Sequence, residues 1–248
     1  MNDPHVNFIE YHLVTDDEIE YSVAAELKYD SEEFDMHLKN GILTCNFKNH
    51  YSEVKEAREV VEKLLKSWEI DTALRIGIGE LNFKFHNADI IDRSPKKDNI
   101  INLGPIRLSG GSTMEANLTV VRGSYPKVPT DFLASLDVEI LWARYKMYLD
   151  GKDQLLSMAY FCLSYLEGLA GSRSEASIKY KIDIEVLKRL GELSSERGDK
   201  LSARKGKSNS FLPITDDEKV WIENIVKKII RRVGEYEVDS ENLPEIKL

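Results

Sequence analysis

Arg197, Asp199, Lys200, Arg204, Lys205 and Lys207 crowd into one short stretch, and five of these six side chains are cationic. A guanidinium presents a planar fork of donors that fits phosphate or carboxylate, and lysine adds a compact point charge. If residues 197–204 are helical, Arg197 and Arg204 lie two turns apart on one face. The chemistry on offer is recognition of an anion: RNA, a nucleotide or an acidic partner surface. A solvated loop with a salt bridge from Arg197 to Glu196 or Asp199 is the structural alternative. Proton transfer is a different matter. All five histidines (His5, His12, His37, His50 and His86) lie in the first half of the chain. Arginine stays protonated and an exposed lysine does so near neutral pH, so neither is an ordinary general acid or base. The set is read as binding, with no catalytic residue assigned.

Other constellations are weaker. His37, Cys45 and His50 fall close together, but their intervals match no standard zinc spacing. Asp16, Asp17, Glu18 and Glu20 read as an acidic turn between strands. Gly110-Gly111 has no following Lys-Ser/Thr and opens no helix, so it reads as a turn rather than a phosphate loop. Neither Ser nor Cys sits in a G-x-S-x-G setting. Cys45 and Cys162 lie in apolar surroundings and read as buried thiols of a reducing compartment. No metal or cofactor is called for.

The chain has 248 residues, 42% of them hydrophobic and 31% charged, with a formal net charge of −9. That composition excludes a disordered polypeptide, a collagen-like repeat and a disulfide scaffold. The net charge argues against a surface that binds nucleic acid or anionic membrane all over. No run of about 18 apolar residues is present, and the N-terminus lacks a basic-then-apolar leader, so the expectation is a cytoplasmic protein with no membrane partner. Charge is uneven: residues 1–130 carry −7, residues 131–248 carry −2, and residues 173–207 carry +4.

The elements that must position these residues differ between the halves. In the first half, residues 8–14 alternate in part, with Phe8, Tyr11 and Leu13 as candidates for one face. Residues 19–27 follow the acidic turn. After Asn40-Gly41, Leu43, Cys45 and Phe47 form one alternating set and Ile42, Thr44 and Asn46 the other. Residues 74–85 read as a strand of period two whose phase breaks at Gly79-Glu80, as a bulge would do. Residues 114–121 are a further strand candidate, and residues 93–112 a long connection. One helix, residues 52–68, places Val54, Ala57, Val61, Leu64, Leu65 and Trp68 on one face.

The second half reads as helices. Thr130 is placed to N-cap a helix over residues 131–150 that ends at Gly151. Its apolar set is Leu133, Leu136, Ile140, Leu141, Tyr145 and Tyr148. Residues 153–170 form the most apolar helix and the centre of a bundle. Short helices are expected at 173–180 and, capped by Asp183 and closed by Gly191, at 184–190. Thr215 to Glu218 is a capping-box sequence that opens a last amphipathic helix with a basic end, Lys227, Lys228, Arg231 and Arg232. The expected fold class is α+β: a β-rich N-terminal module with one helix (1–129), followed by an all-α bundle (130–248).

Two resemblances fall on the basic stretch. Ala176 or Ser177, a turn near Lys181, then Ile182 and Val186-Leu187 resemble the helix-turn-helix of DNA-binding proteins, with Lys181 where glycine is frequent. That resemblance implies a DNA regulator whose second helix presents Glu185, Lys188 and Arg189. Over residues 131–235 the chain resembles the HEPN helical domain of prokaryotic defence and toxin systems. There a helical bundle is followed by an Arg-x(4–6)-His motif and a final amphipathic helix. SSERGDKLSARK stands at the equivalent place: Arg197 carries over, and the histidine does not. The family cleaves RNA with an arginine and a histidine from two subunits. The resemblance therefore implies a homodimer or a protein partner, and a nucleic-acid setting. The function expected is a non-catalytic binding or adaptor protein of a defence or toxin-like system. The alternatives are a divergent ribonuclease using Arg197, Asp199 and Arg204, or the DNA regulator.

Overall fold

A computed structural model describes residues 3–94, 119–198 and 212–247. The fold is α+β, and the chain divides into two compact units, Met1–Val128 and Pro129–Leu248.

The first unit contains β1 (Pro4–Val14), β2 (Ile19–Glu20), β3 (Leu27–Asp30), β4 (Phe34–Lys39), β5 (Ile42–Phe47), α1 (Val54–Arg75), β6 (Asn82–Asp92) and β7 (Val120–Val121). Five strands form an antiparallel sheet in the order β3-β4-β5-β1-β6, and β2 pairs with β7 in parallel. Asn40 and Gly41 both take positive φ (51° and 73°), as a two-residue type I′ hairpin between β4 and β5 requires. That turn sets the register Leu38↔Leu43, Met36↔Cys45 and Phe34↔Phe47. All six of these side chains are buried on one face, joined from β1 by Ile9 and Tyr11. Ala57, Val61, Leu65 and Trp68 of α1 complete that core.

Several expectations are corrected. The inward residues of β1 are Val6, Ile9 and Tyr11, with Leu13 partly buried against the same core as expected, while Phe8 lies opposite Asn46 on the other face. Residues 19–27 form no single strand but the short β2, a turn and the start of β3. β4 goes unread in the sequence, although Phe34, Met36 and Leu38 alternate. The supposed strand 74–85 is mostly something else. α1 continues through Ile70, Asp71, Thr72 and Leu74, all buried, and Arg75 pairs with Asp71 one turn back. Ile76 and Ile78 are exposed, so their period-two spacing serves no sheet. Gly79 sits at φ 80° in the turn before β6, where a Cβ would collide with the Asp16 carboxylate. The bulges lie instead on the β1/β6 pair, near Asn7 and His86. Of residues 93–121, only 93–94 and 119–121 are described, so the long connection and most of that strand candidate lie outside.

The second unit contains α2 (Leu136–Leu149), α3 (Leu155–Ala170), α4 (Arg173–Tyr180), α5 (Ile184–Glu196) and α6 (Asp216–Val238). α3 touches each of the other four helices and buries Leu156, Met158, Ala159, Cys162, Leu163 and Leu166. α2 begins later than expected, at Ser135, whose hydroxyl accepts from the Val138 N–H. The reason lies in α6. Gly234 leaves room there for the Phe132 ring, which a Cβ would overlap, and its carbonyl accepts from the Leu133 N–H at 3.2 Å. The residues before Ser135 are therefore laid across α6 rather than wound into helix. Of the predicted apolar set, Leu141 and Tyr145 are buried, whereas Leu133 and Leu136 are exposed.

α5 also departs from expectation. It does not close at Gly191 but runs to Glu196 and takes in Ser194 and Ser195. Gly191 lies under the Arg173 guanidinium, where a Cβ would come within 2.9 Å of Nη2. It is a packing glycine rather than a stop.

Candidate functional site

The described start of the basic stretch, Arg197 and Gly198, lies at the end of α5. Arg197 C-caps α5 in an extended conformation, and Gly198 turns at φ 120°. Arg197 bridges Leu212 in parallel, and the Gly198 N–H donates to the Leu212 carbonyl at 2.9 Å. Residues 198 and 212 are thus tied together, and the chain between them departs and returns at one place.

A side-chain clamp reinforces this stem. Arg197 donates from Nε (3.0 Å) and Nη2 (2.7 Å) to Oε1 of Glu218. The other oxygen of Glu218, Oε2, accepts from the Thr215 N–H at 3.0 Å, while the Thr215 hydroxyl accepts from the Glu218 N–H at 3.2 Å. One carboxylate therefore both completes the capping box of α6 and anchors Arg197. Its side chain is 12% exposed and that of Arg197 is 29%. The Thr215 backbone donor first, then Arg197, hold the Glu218 pKa below the ordinary 4.5.

Sequence reading offered Arg197 as a ligand-binding residue or as a partner of Glu196 or Asp199; the acid it pairs with here is Glu218. Asp199, Lys200, Arg204, Lys205 and Lys207 lie outside the described residues, as does most of the helix considered for 197–204. Sequence reading found the capping box but not the second use of Glu218, since the two residues lie on different elements.

The helix-turn-helix positions are fully described. Lys181 adopts the left-handed conformation (φ 51°, ψ 47°) between α4 and α5, at the place where glycine is frequent. Asp183 accepts from the Glu185 N–H and N-caps α5. The turn is fastened from below by Arg232, which is 3% exposed. It donates from Nη1 to the Tyr180 (2.6 Å) and Lys181 (3.1 Å) carbonyls, from Nη2 to the Pro244 carbonyl (2.6 Å), and from Nε to Glu235 (2.8 Å). Burial, with the Arg231 charge beside it, draws its pKa down to about 10, so it remains a cation at neutral pH. Ile246 joins the same turn: its N–H donates to the Lys181 carbonyl, and its carbonyl accepts from the Asp183 N–H, both at 2.9 Å. Sequence reading took Arg232 for one of several dipole-compensating cations; nothing in its spacing separates it from Arg231.

The outward side of α5 carries Glu185, Lys188, Arg189, Glu192 and Glu196. Lys188 pairs with Glu185 at 2.7 Å, and the Arg189 guanidinium lies 4.9 Å from the Trp221 ring centre. Of the two residues proposed to read DNA, Lys188 pairs with Glu185 on the surface of its own helix and Arg189 lies against Trp221 of α6, with Glu192 and Glu196 also on that outward side. Such a face suits a phosphate backbone poorly.

In the β-rich unit, His37 meets Glu26 at 3.1 Å and His50 stacks on His5. Cys45 is buried on the core face, and burial raises its thiol pKa to about 12. These three side chains point to different places. Among the described residues, no three His, Cys, Asp or Glu side chains are grouped to hold a metal ion. Cys162 is buried too, with its pKa raised to about 12, and a thiol held that way is a poor nucleophile.

Comparison with protein-family models, with curated proteins and with solved structures found no match to this chain.

Proposed function

We propose that this chain is a non-catalytic RNA-binding adaptor that grips single-stranded RNA through residues 199–207. The observation that carries the reading is the stem. Arg197 and Glu218 clamp it, Gly198 and Leu212 close it, and the sequence between its ends supplies Lys200, Arg204, Lys205 and Lys207 against one acid, Asp199. Four cations tethered at one point of a rigid bundle suit a flexible phosphate chain. The acidic first unit would take a protein partner rather than nucleic acid. The wider setting, a prokaryotic defence or toxin-like system, rests on the likeness of residues 131–235 to the HEPN bundle.

The test is fluorescence anisotropy of the purified chain with a labelled single-stranded RNA oligonucleotide, a DNA duplex as comparison, and a gel of the RNA after incubation. Binding of RNA should weaken at least tenfold in the variant K200E/R204E/K205E/K207E, and the RNA should stay intact. Equal binding by that variant would remove the reading. Cleavage that disappears in Arg197→Ala would replace it with the divergent ribonuclease. Preference for the duplex, lost in Lys188→Ala/Arg189→Ala, would replace it with the DNA regulator.

A further inference from the structure

His12 and His86 lie far apart in the sequence but meet on the face of the five-stranded sheet that α1 leaves open. His12 is in β1 and His86 in the edge strand β6, and their ring centres stand 4.0 Å apart with the planes tilted by 57°. The bulge brings them together. The register runs Tyr11↔Phe85 and then Glu10↔Asn87, so His86 is an extra residue of β6 with no Cα partner on β1. Phe85 turns inward, where its ring meets Tyr11 and the Arg58 guanidinium of α1. His86 beside it turns outward, toward His12, and both histidines are exposed. A bulge on an edge strand re-aims a side chain in this way, at the expense of regular pairing.

Two imidazoles held side by side on neighbouring strands form a chelating pair. Imidazole suits Cu²⁺, Ni²⁺ and Zn²⁺, whereas Mg²⁺ and Ca²⁺ require sets of oxygen ligands. With a metal–nitrogen bond of about 2.0 Å, two imidazoles bound cis to one ion have ring centres about 4.5 Å apart, and tetrahedral or trans placement sets them farther. The 4.0 Å seen here is close to the cis value, so small side-chain rotations admit an ion between the two rings. Cis angles of about 90° belong to tetragonal Cu²⁺ and Ni²⁺, and Cu²⁺ stands highest in the order of affinity. The same face holds Glu10, two residues before His12, and Lys84, opposite His12. Their charges offset each other, so the attraction for an ion rests on the two nitrogen donors and not on an acidic patch. Among the described residues neither imidazole is committed to a carboxylate, unlike His37, which meets Glu26.

We propose that His12 and His86 form a surface site for a divalent transition metal, Cu²⁺ above all, held by one nitrogen of each ring with the remaining coordination positions open to water. The site has two protein ligands, and so differs from the groupings of three that the described residues lack. It lies in the first unit, on residues that the RNA reading does not use, and stands or falls separately.

Calorimetric titration of the full chain with Cu²⁺ tests it, with pulsed electron paramagnetic resonance to count the imidazoles on the bound ion and circular dichroism to confirm that each variant is folded. The wild type should bind one Cu²⁺ that H12A/H86A does not, and that ion should carry two imidazoles. His12→Ala and His86→Ala should each weaken the site by roughly tenfold or more, and the double variant should lose little beyond either, because one ring alone forms no chelate. His37→Ala, on the same face of the sheet but paired with Glu26, should leave the site unchanged. A wild type that binds no more Cu²⁺ than H12A/H86A, single losses that simply add in the double variant, one imidazole on the bound ion, or a site lost in His37→Ala would each overturn the proposal.

Discussion

His5 is a buried titratable side chain that couples the first unit to pH. It sits in β1, its Nδ1 has no hydrogen-bond partner among the described residues, and its ring stacks on His50 with the centres 5.3 Å apart. Burial above all, then the charges of Arg93 and His50, hold its pKa below the ordinary 6.5, while Asp3 pulls the other way. As the pH drops below 6.5 the unfolded chain takes up a proton that the folded chain resists, so acidification favours unfolding. The contribution is complete above that value and is lost as the pH falls through the folded pKa. Thermal melts followed by β-sheet circular dichroism should show the midpoint dropping as the pH falls below 6.5, and His5→Phe should flatten that slope. An unchanged slope in His5→Phe would assign the effect to other groups. Glu218 acts in the same direction at lower pH: its lowered pKa means that the stem clamp is intact above 4.5 and loosens as the pH falls through the folded value.

Two substitutions at the α4–α5 corner separate glycine used for space from glycine used for backbone freedom. Gly191→Ala should cost about 1–2 kcal/mol despite alanine's better helix propensity, because the new methyl displaces the Arg173 guanidinium from its 2.6 Å bond to Glu167. Lys181→Gly should stabilise by up to about 1 kcal/mol, because it relieves a left-handed lysine. Urea denaturation of the two variants checks both, and a stabilised G191A would show that Arg173 re-packs freely. These positions also show how much of the fold was legible beforehand. Helices whose ends carry local chemistry were readable: α4 is bounded by Ser172 and by the turn at Lys181, and α6 opens on its capping box. Elements bounded by distant contacts were not. The start of α2 depends on Gly234, about a hundred residues away, and Gly191 passes for a stop because Arg173 is invisible to local spacing. Leu74, Ile76 and Ile78 mimic a strand, yet the helix prevails because Ile70 and Leu74 belong to the packed face of α1. The candidate site was half legible. The cations stand out by composition, whereas the clamp that anchors them joins Arg197 to a residue 21 positions on.

Charge is partitioned over the whole molecule in a way that constrains any polyanion it meets. Residues 1–130 carry −7, while residues 173–207 carry +4. RNA should therefore approach the helical unit at its basic segment and be repelled elsewhere, which makes binding local and strongly salt-dependent. If Lys200, Arg204, Lys205 and Lys207 each neutralise a phosphate, a plot of log affinity against log salt should have a slope of about −3 for a single strand. A slope near zero, measured by anisotropy across a salt series, would mean that the cations do not carry the contact. The tie between Gly198 and Leu212 has a further consequence. Because that tie joins residues 198 and 212 directly, the sequence between them can be exchanged or lengthened with little effect on the scaffold; doubling the length of a connection costs only about 0.6 kcal/mol. Selection could then rewrite what this protein recognises, letter by letter, while the architecture underneath stayed the same.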